Sequence, residues 1–418
     1  MSGTLIINAR LVTMRSATGD PLTPRRGASM RDLGIIERGY LLVREGRIIE
    51  VAAGDAPRAL HAHAQVIDAR GRVVLPGFVD CHTHACWAGD RLDEWEQKLA
   101  GVPYLDILAA GGGILSTVRS VRATSTQALA LALEERALHM AAYGTTTIEV
   151  KSGYGLDCAT ELRMLEAIAQ AASRSPVRMV PTFLGAHAID PECEGFVEQT
   201  INQTLATVLA AYPGIAVDGY CEKGSWSVDE CVRYFTRATQ LGSAVRVHTD
   251  QFNSLGMIQA ALALGAVSVD HLEAASDEDL TAVAKSSTIA VGLPATSFCL
   301  GTATIRAREF IDRGGALALA TNANPGSAPV RGMPIVISFA VREMKLTPAE
   351  ALTTVTSNAA CVVGLAGECG SIEKGKSADV VLWPCTDERA LGYELSGALP
   401  IQVWSRGVEI ACDPRHVR

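Results

Sequence analysis

From about residue 73 to residue 322 the chain alternates between two patterns of apolar and polar positions. Short apolar runs, each ending in polar or glycine-rich residues, predict strands at 73–84, 145–151, 177–187, 215–222, 244–250, 266–273, 288–294 and 316–322. Between them, segments with apolar residues three and four apart predict helices, among them 126–143, 159–172, 198–211, 228–241, 255–264 and 277–285. Eight strand–helix units predict an α/β fold of the (β/α)8 barrel type over residues 73–367. The two ends read differently. Thr4-Leu5-Ile6-Ile7, Leu41-Leu42-Val43, 47–51 and 66–68 are β-rich runs separated by turns such as Glu45-Gly46, with a polar excursion over 14–36. The style returns with a strand through Val380-Val381-Leu382 and a closing hairpin over 401–410. Edge strands need partners, so residues 1–72 and 368–418 are expected to pair into one composite β-sandwich domain.

In a barrel of this kind chemistry sits at the C-terminal ends of the strands, so what each run ends with matters. Five of the nine histidines fall at these ends: His82 and His84, His187, His248 and His271. His82 and His84 are two apart, which on an extended strand points both side chains to one side. Three neutral imidazoles can hold a divalent ion and leave a position for water. A carboxylate is expected on the eighth strand end to take the proton, and position 322 is Asn. His61 and His63 form a second pair in an Ala-rich polar setting and read as exposed. Cys81 and Cys86 flank the first pair and read as small buried thiols rather than ligands.

Composition narrows the classes. Hydrophobic residues make up 48% and charged residues 20% of 418, which suits a soluble globular chain. A net charge of -8 argues against nonspecific nucleic-acid binding. The first residues lack a basic stretch followed by a long apolar run, and no uninterrupted apolar stretch is long enough for a membrane span. Eleven cysteines without a CxxC pair read as reduced thiols in a cytoplasmic protein.

The run Pro76-Gly77-x-x-Asp80-x-His82-x-His84, the barrel pattern and Gly375-Lys376-Ser377-Ala378-Asp379 together resemble the amidohydrolase superfamily. Within it, Trp87-Ala88-Gly89-Asp90-Arg91, Ala109-Ala110-Gly111-Gly112-Gly113-Ile114, Lys151-Ser152-Gly153-Tyr154-Gly155-Leu156, Phe183-Leu184-Gly185-Ala186-His187, Asp270-His271-Leu272-Glu273 and Asn324-Pro325-Gly326-Ser327 resemble the imidazolonepropionase family. The resemblance implies a homodimeric hydrolase with one zinc or iron ion, acting at C2 of 4-imidazolone-5-propanoate to give N-formimino-glutamate. It implies His82, His84 and His248 as metal ligands, with Asn322 a weak fourth. It implies substrate contacts from Arg91, Tyr104, Tyr154, His187, Asn324, Gly326 and Ser327, and His271 as the group that polarises the substrate oxygen or shuttles a proton. Arg91 independently suits bidentate recognition of a carboxylate.

Three positions depart from the resembled pattern. Asn322 stands where that family has an aspartate, Gln251 where some members have Glu, and Ala295-Thr296-Ser297-Phe298 where a bulkier aromatic stretch is usual. An amide cannot usefully accept a proton. Asn322 is then a change made to trap a ligand, a natural residue in a branch that recruits another base such as His271, or a mark of a changed reaction. The last alternative is release of sulfide from a 5-oxo-2-thioxoimidazolidine propanoate. A binding protein without turnover is a further reading. A cytosine- or guanine-deaminase-like hydrolase is disfavoured, because those sites lack the Lys-Ser-Gly-Tyr-Gly and Asn-Pro-Gly-Ser pieces.

Overall fold

The computed structural model describes residues 3–16, 20, 22–102, 106, 111–395 and 399–410. The N-terminal strands are β1 (Gly3–Val12), β2 (Ile35–Arg44), β3 (Arg47–Ala53), β4 (Ala64–Asp68) and β5 (Val73–Pro76). The barrel strands are β6 (Phe78–Asp80), β7 (Thr145–Lys151), β8 (Arg178–Ala186), β9 (Ala216–Cys221), β10 (Arg246–Thr249), β11 (Ser268–His271), β12 (Ile289–Gly292) and β13 (Leu317–Leu319). The chain closes with β14 (Val380–Leu382), β15 (Gln402–Ser405) and β16 (Val408–Ile410).

β6 to β13 lie in sequence order in one parallel sheet of eight strands. Its ends are joined past the strands, where Asn322 N–H donates to His82 O at 3.1 Å and His84 N–H donates to Ala323 O at 3.0 Å. Every residue of β7, β10, β11 and β12 is buried. Strands covered on both faces read as continuous apolar runs, which is why they were legible. The predicted helices are present, as at Thr126–Ala142, Cys158–Arg174, Val228–Gln240 and Asp277–Lys285. One departs from a plain α-helix: the expected 198–211 segment passes through a π turn at Thr200–Thr204.

The remaining strands form a second eight-stranded sheet drawn from both chain ends, in the order β16-β15-β14-β5-β1-β2-β3 with β4 on β1. The sheet folds over on itself. Ile6, Leu41 and Ile48 share one buried cluster with Val380, Leu382 and Trp404. Backbone bonds from Ile48 N to Lys376 O and from Ala378 N to Gly46 O, both 2.9 Å, stitch the far edge to the segment before β14. This is the sandwich expected from the terminal patterns.

The expected first barrel strand, 73–84, is not one strand. Val73–Pro76 pairs with β1 and β14 in the terminal sheet, and the barrel begins only at Phe78. Gly77 is the joint. A Cβ there would stand 2.1 Å from Thr146 Oγ1, so only glycine lets the chain pass from one sheet to the other beside β7. His61 and His63 are exposed, as read. No helix of the described residues is long and apolar enough to cross a membrane.

Candidate metal centre

Four imidazoles meet at the C-terminal mouth of the barrel. Ring centroids are 4.3 Å apart for His82 and His248, 5.3 Å for His84 and His248, and 5.6 Å for His248 and His271. Ligand-capable atoms of His82, His248 and His271 lie within 4.8 Å of one another, and no carboxylate oxygen of the described residues joins that group. His84 Nε2 is 3.3 Å from His248 Nε2. Two nitrogens about 2.0–2.1 Å from one tetrahedral ion stand about 3.3–3.4 Å apart, so this spacing fits a shared ion. His82 Nε2 and Asn322 Oδ1 are buried with no hydrogen-bond partner, the condition of atoms that await a ligand.

The rings are held in a proton state that suits binding. Burial, followed by neighbouring charges such as Lys151, holds His82 well below its usual range. Burial, then His187 and His248, does the same for His84. Burial lowers His248 too, against the opposing pull of Asp218. Neutral imidazoles are the ligand form.

A frame of buried charge selects which nitrogen faces inward. His82 Nδ1 meets Asp270 Oδ2 at 2.5 Å, and His248 Nδ1 meets Asp218 Oδ1 at 3.0 Å, so both rings present Nε2. Each carboxylate is clamped by a buried cation. Arg246 Nη2 donates to Asp270 at 2.7 Å and Lys151 Nζ to Asp218 at 2.8 Å. Glu149 joins the two cations, accepting from Lys151 at 2.7 Å and lying 3.5 Å from Arg246, and it also accepts from Thr83 N–H at 3.0 Å. Burial alone would raise Asp218, but His248 and Lys151 bring it well below the usual carboxylate range. None of these five residues stood out as a site residue in the sequence. The available signal was a charge inside an otherwise apolar strand.

The strand ends carry unusual backbone. Asp250, His271, Leu272 and Asn322 have φ of 54°, 87°, 70° and 53°. Left-handed conformations at non-glycine residues cluster at functional sites. Asp80 pins the last of these: it accepts Thr321 N–H at 3.1 Å and Thr321 Oγ1–H at 2.5 Å. Burial pushes its carboxyl up to about 7.

The other expected residues distribute around this centre. His187 stacks on His84 at 4.9 Å, donates from Nδ1 to Gly153 O at 2.8 Å, and is pushed by burial down to about 3. Tyr154 lies 5.2 Å from the His187 ring. Their loop is tied by buried Glu161, which accepts Gly153 N–H at 2.8 Å and Gly155 N–H at 2.7 Å. His271 Nδ1 faces Glu273 Oε1 at 3.3 Å. Gln251 accepts the Tyr220 hydroxyl at 2.9 Å. Arg91 pairs with Glu94, leaves Nε without a partner, and packs so closely on Gly326 that a Cβ there would lie 3.1 Å from Nη1. A cleft of about 220 Å³ opens beside it, lined by Asp90, Arg91, Glu94 and Gly112. The amides of Gly326 and Ser327 do not point to a ligand as expected. Both donate to Asn324 Oδ1 at 2.8 Å, so Asn324 braces the turn from within. Tyr104 lies outside the described residues. Cys81 and Cys86 are buried thiols raised by burial, Cys86 to about 12.

A barrel with imidazoles at strand ends one, five and six, backed by carboxylates, defines a class, and sequence comparison agrees with it. The chain belongs to the amidohydrolase family, whose profile matches residues 73–410. Within that family it belongs with the imidazolonepropionases. It is 44% identical over 414 residues to the imidazolonepropionase of Symbiobacterium thermophilum, covering 96% of each chain, and 43% identical over 398 residues to that of Chloroflexus aggregans, covering 92% of this chain and 93% of the relative. The fold alone is shared with a 5-methylcytosine deaminase from Klebsiella pneumoniae (TM-score 0.74, 15% identity, 98% and 97% covered) and with E. coli guanine deaminase (TM-score 0.72, 15% identity, 98% and 99% covered).

Proposed function

We propose that this chain hydrolyses 4-imidazolone-5-propanoate to N-formimino-glutamate in histidine degradation, using one zinc or iron ion. The observation that carries the reading is the meeting of ligand-capable atoms of His82, His248 and His271 within 4.8 Å of one another, with the buried His82 Nε2 left unpartnered, in a member of this family. His82, His84 and His248 hold the ion, with Asn322 Oδ1 as a neutral oxygen donor. When bound, the ion polarises a carbonyl and makes water nucleophilic near neutral pH.

Atom balance places the bond change. The product's new carboxylate can come only from the ring carbonyl, so water oxygen adds at C4, the C4–N3 bond breaks, and C2 stays on nitrogen as the formimino carbon. The expected attack at C2 is thereby corrected for this substrate. His271, backed by Glu273, takes the water proton on Nε2 and returns it to N3 as that nitrogen leaves. Arg91 receives the propanoate, with Tyr154 and His187 against the ring and the Asn324–Ser327 turn shaping the far wall. Gln251 follows β10, with its side-chain oxygen taken by the Tyr220 hydroxyl.

A second reading is favoured by one observation: the carboxylates nearest the imidazoles are Asp218, Asp270 and Glu273, and each is turned to an outer nitrogen. Without an inward carboxylate, a reaction with an easier leaving group gains ground. In a 2-thioxo ring, water adds at C2, the C–S bond breaks, and the products are the 2-oxo ring and hydrogen sulfide. The purified chain, loaded with zinc or iron, should form N-formimino-glutamate from the imidazolone, read by mass spectrometry. Sulfide from the thioxo compound with no opening of the imidazolone supports the second reading. Tight binding of both compounds with neither product formed makes the chain a binding protein. We also propose a cytoplasmic homodimer; the ten described cysteines are all unpaired, which suits a reducing compartment, and mass measurement in solution tests the stoichiometry.

A further inference from the structure

We propose that Thr296 is a positioning residue for the metal centre: it holds the Asn322 amide with its nitrogen turned away from the imidazoles and its oxygen turned toward them, completing an uncharged set of protein donors. The assignment rests on the metal reading above. Asn322 Nδ2 donates to Thr296 Oγ1 at 2.8 Å, and both side chains are buried. Asn322 Oδ1 has no partner.

The backbone around Asn322 leaves little else to adjust. Its N–H donates to His82 O at 3.1 Å, and its carbonyl accepts Asn324 Nδ2 at 2.6 Å. What remains free is rotation of the side-chain amide, and its two ends differ: one donates and the other accepts. A cation among the imidazoles excludes the donor end. The NH2 must then be buried on the opposite side, where it needs an acceptor. Thr296 Oγ1 is that acceptor. Thr296 sits in the first turn of the Pro294–Leu300 helix, directly after β12, so the strand-seven exit sets which atom the strand-eight exit offers.

The donor set that results carries no charge. Imidazoles bind a cation in their neutral form, Asn322 is an amide, and no carboxylate oxygen of the described residues joins the group formed by His82, His248 and His271. A carboxylate at 322 would need no such orientation, because both of its ends are oxygen. That difference separates an orienting role for Thr296 from simple support of the fold.

Zinc affinity, read by competition with a chromophoric chelator, is measured for the native chain, Thr296→Val and Thr296→Ser, and for each again with Asn322→Asp. Melting curves of the metal-free proteins show that each is folded. Thr296→Val should weaken zinc binding about 10- to 100-fold in the native background, as loss of a partner behind a metal ligand does. Thr296→Ser, which keeps the hydroxyl, should stay within about threefold, and so should Thr296→Val once residue 322 is Asp. Equal losses in both backgrounds, or none in the native one, overturn the assignment while leaving the metal reading intact. Native chain that takes up no zinc overturns the metal reading and the assignment together.

Discussion

Lys151 gives the most direct test of the charge frame beneath the histidines. Its side chain is wholly buried, and its ammonium bonds Glu149 Oε1 at 2.7 Å and Asp218 Oδ2 at 2.8 Å. Lys151→Met keeps the length and apolar stem of the side chain and removes the charge. Three carboxylates, Glu149, Asp218 and Asp270, then face Arg246 alone. Removing one partner of a buried ion pair costs about 3–5 kcal/mol. The entropy of unfolding is about 2.1 cal/mol/K per residue, or about 0.9 kcal/mol/K for this length, so the melting temperature should fall by about 3–6 °C. The loss should depend on pH in a fixed sense. Lys151 is one of the charges that keep Asp218 below its usual range. A depressed carboxylate contributes stability above its unfolded pKa of about 4, and that contribution disappears as pH falls through the folded value. The gap between native and variant should stay wide from pH 7.5 down to about 4 and shrink only as pH falls further, toward the depressed folded value of Asp218. Because Asp218 sets the His248 ring, zinc affinity should drop about 10- to 100-fold as well. Differential scanning calorimetry across pH, with chelator competition, measures both. A variant that melts within about 1 °C of the native chain at pH 7.5 and binds zinc equally well would refute the view that this lysine holds the frame.

Three further outcomes are expected. Asn322→Asp should bind zinc more tightly and azide more weakly, because an added carboxylate lowers the charge left on the ion to attract an anion; azide titration of the cobalt-loaded proteins reads this, and equal azide affinity argues against an uncharged donor set. Arg91→Lys keeps the charge and loses the planar fork, so KM for the propanoate substrate should rise about tenfold or more with kcat little changed; an unchanged KM removes Arg91 from the carboxylate site. His187 is held at about 3 when folded, against about 6.5 unfolded. The unfolded chain therefore takes up this proton first, and stability should be full above pH 6.5 and decline steadily below it. His187→Gln should flatten melting temperature between pH 7 and pH 5, and an unchanged slope places the acid sensitivity elsewhere.

The barrel was legible because parallel strands buried on both faces leave long apolar runs, and the histidines were legible because they stand where those runs stop. The joint at Gly77 was not. Val73-Val74-Leu75 and Phe78-Val79 are equally apolar, and only the approach of Thr146 in space shows that they serve different sheets. The residue types of the turn at Asn324 suit a ligand, while the structure directs its amides to the Asn324 side chain. Residue types alone do not say which way a donor faces.

That limit runs through the whole site. Asp270 turns His82, Asp218 turns His248, the Gly153 carbonyl turns His187, and Thr296 turns Asn322. Each of these decides which atom of its neighbour reaches the centre. Asp218 and Asp270 lie inside barrel strands, where a sequence reading expects packing, and burying a charge there is costly unless it is paired. A charged residue in such a strand therefore signals a partner, although the pattern along the chain does not say which one. Thr296 gives no signal of that kind, since a threonine in a helix's first turn is ordinary. Its part follows only from lying 2.8 Å from an amide whose other end has nothing to bond. The identities of the residues around the imidazole centre thus belong to the strand ends, and the chemistry they can offer is set one layer further out.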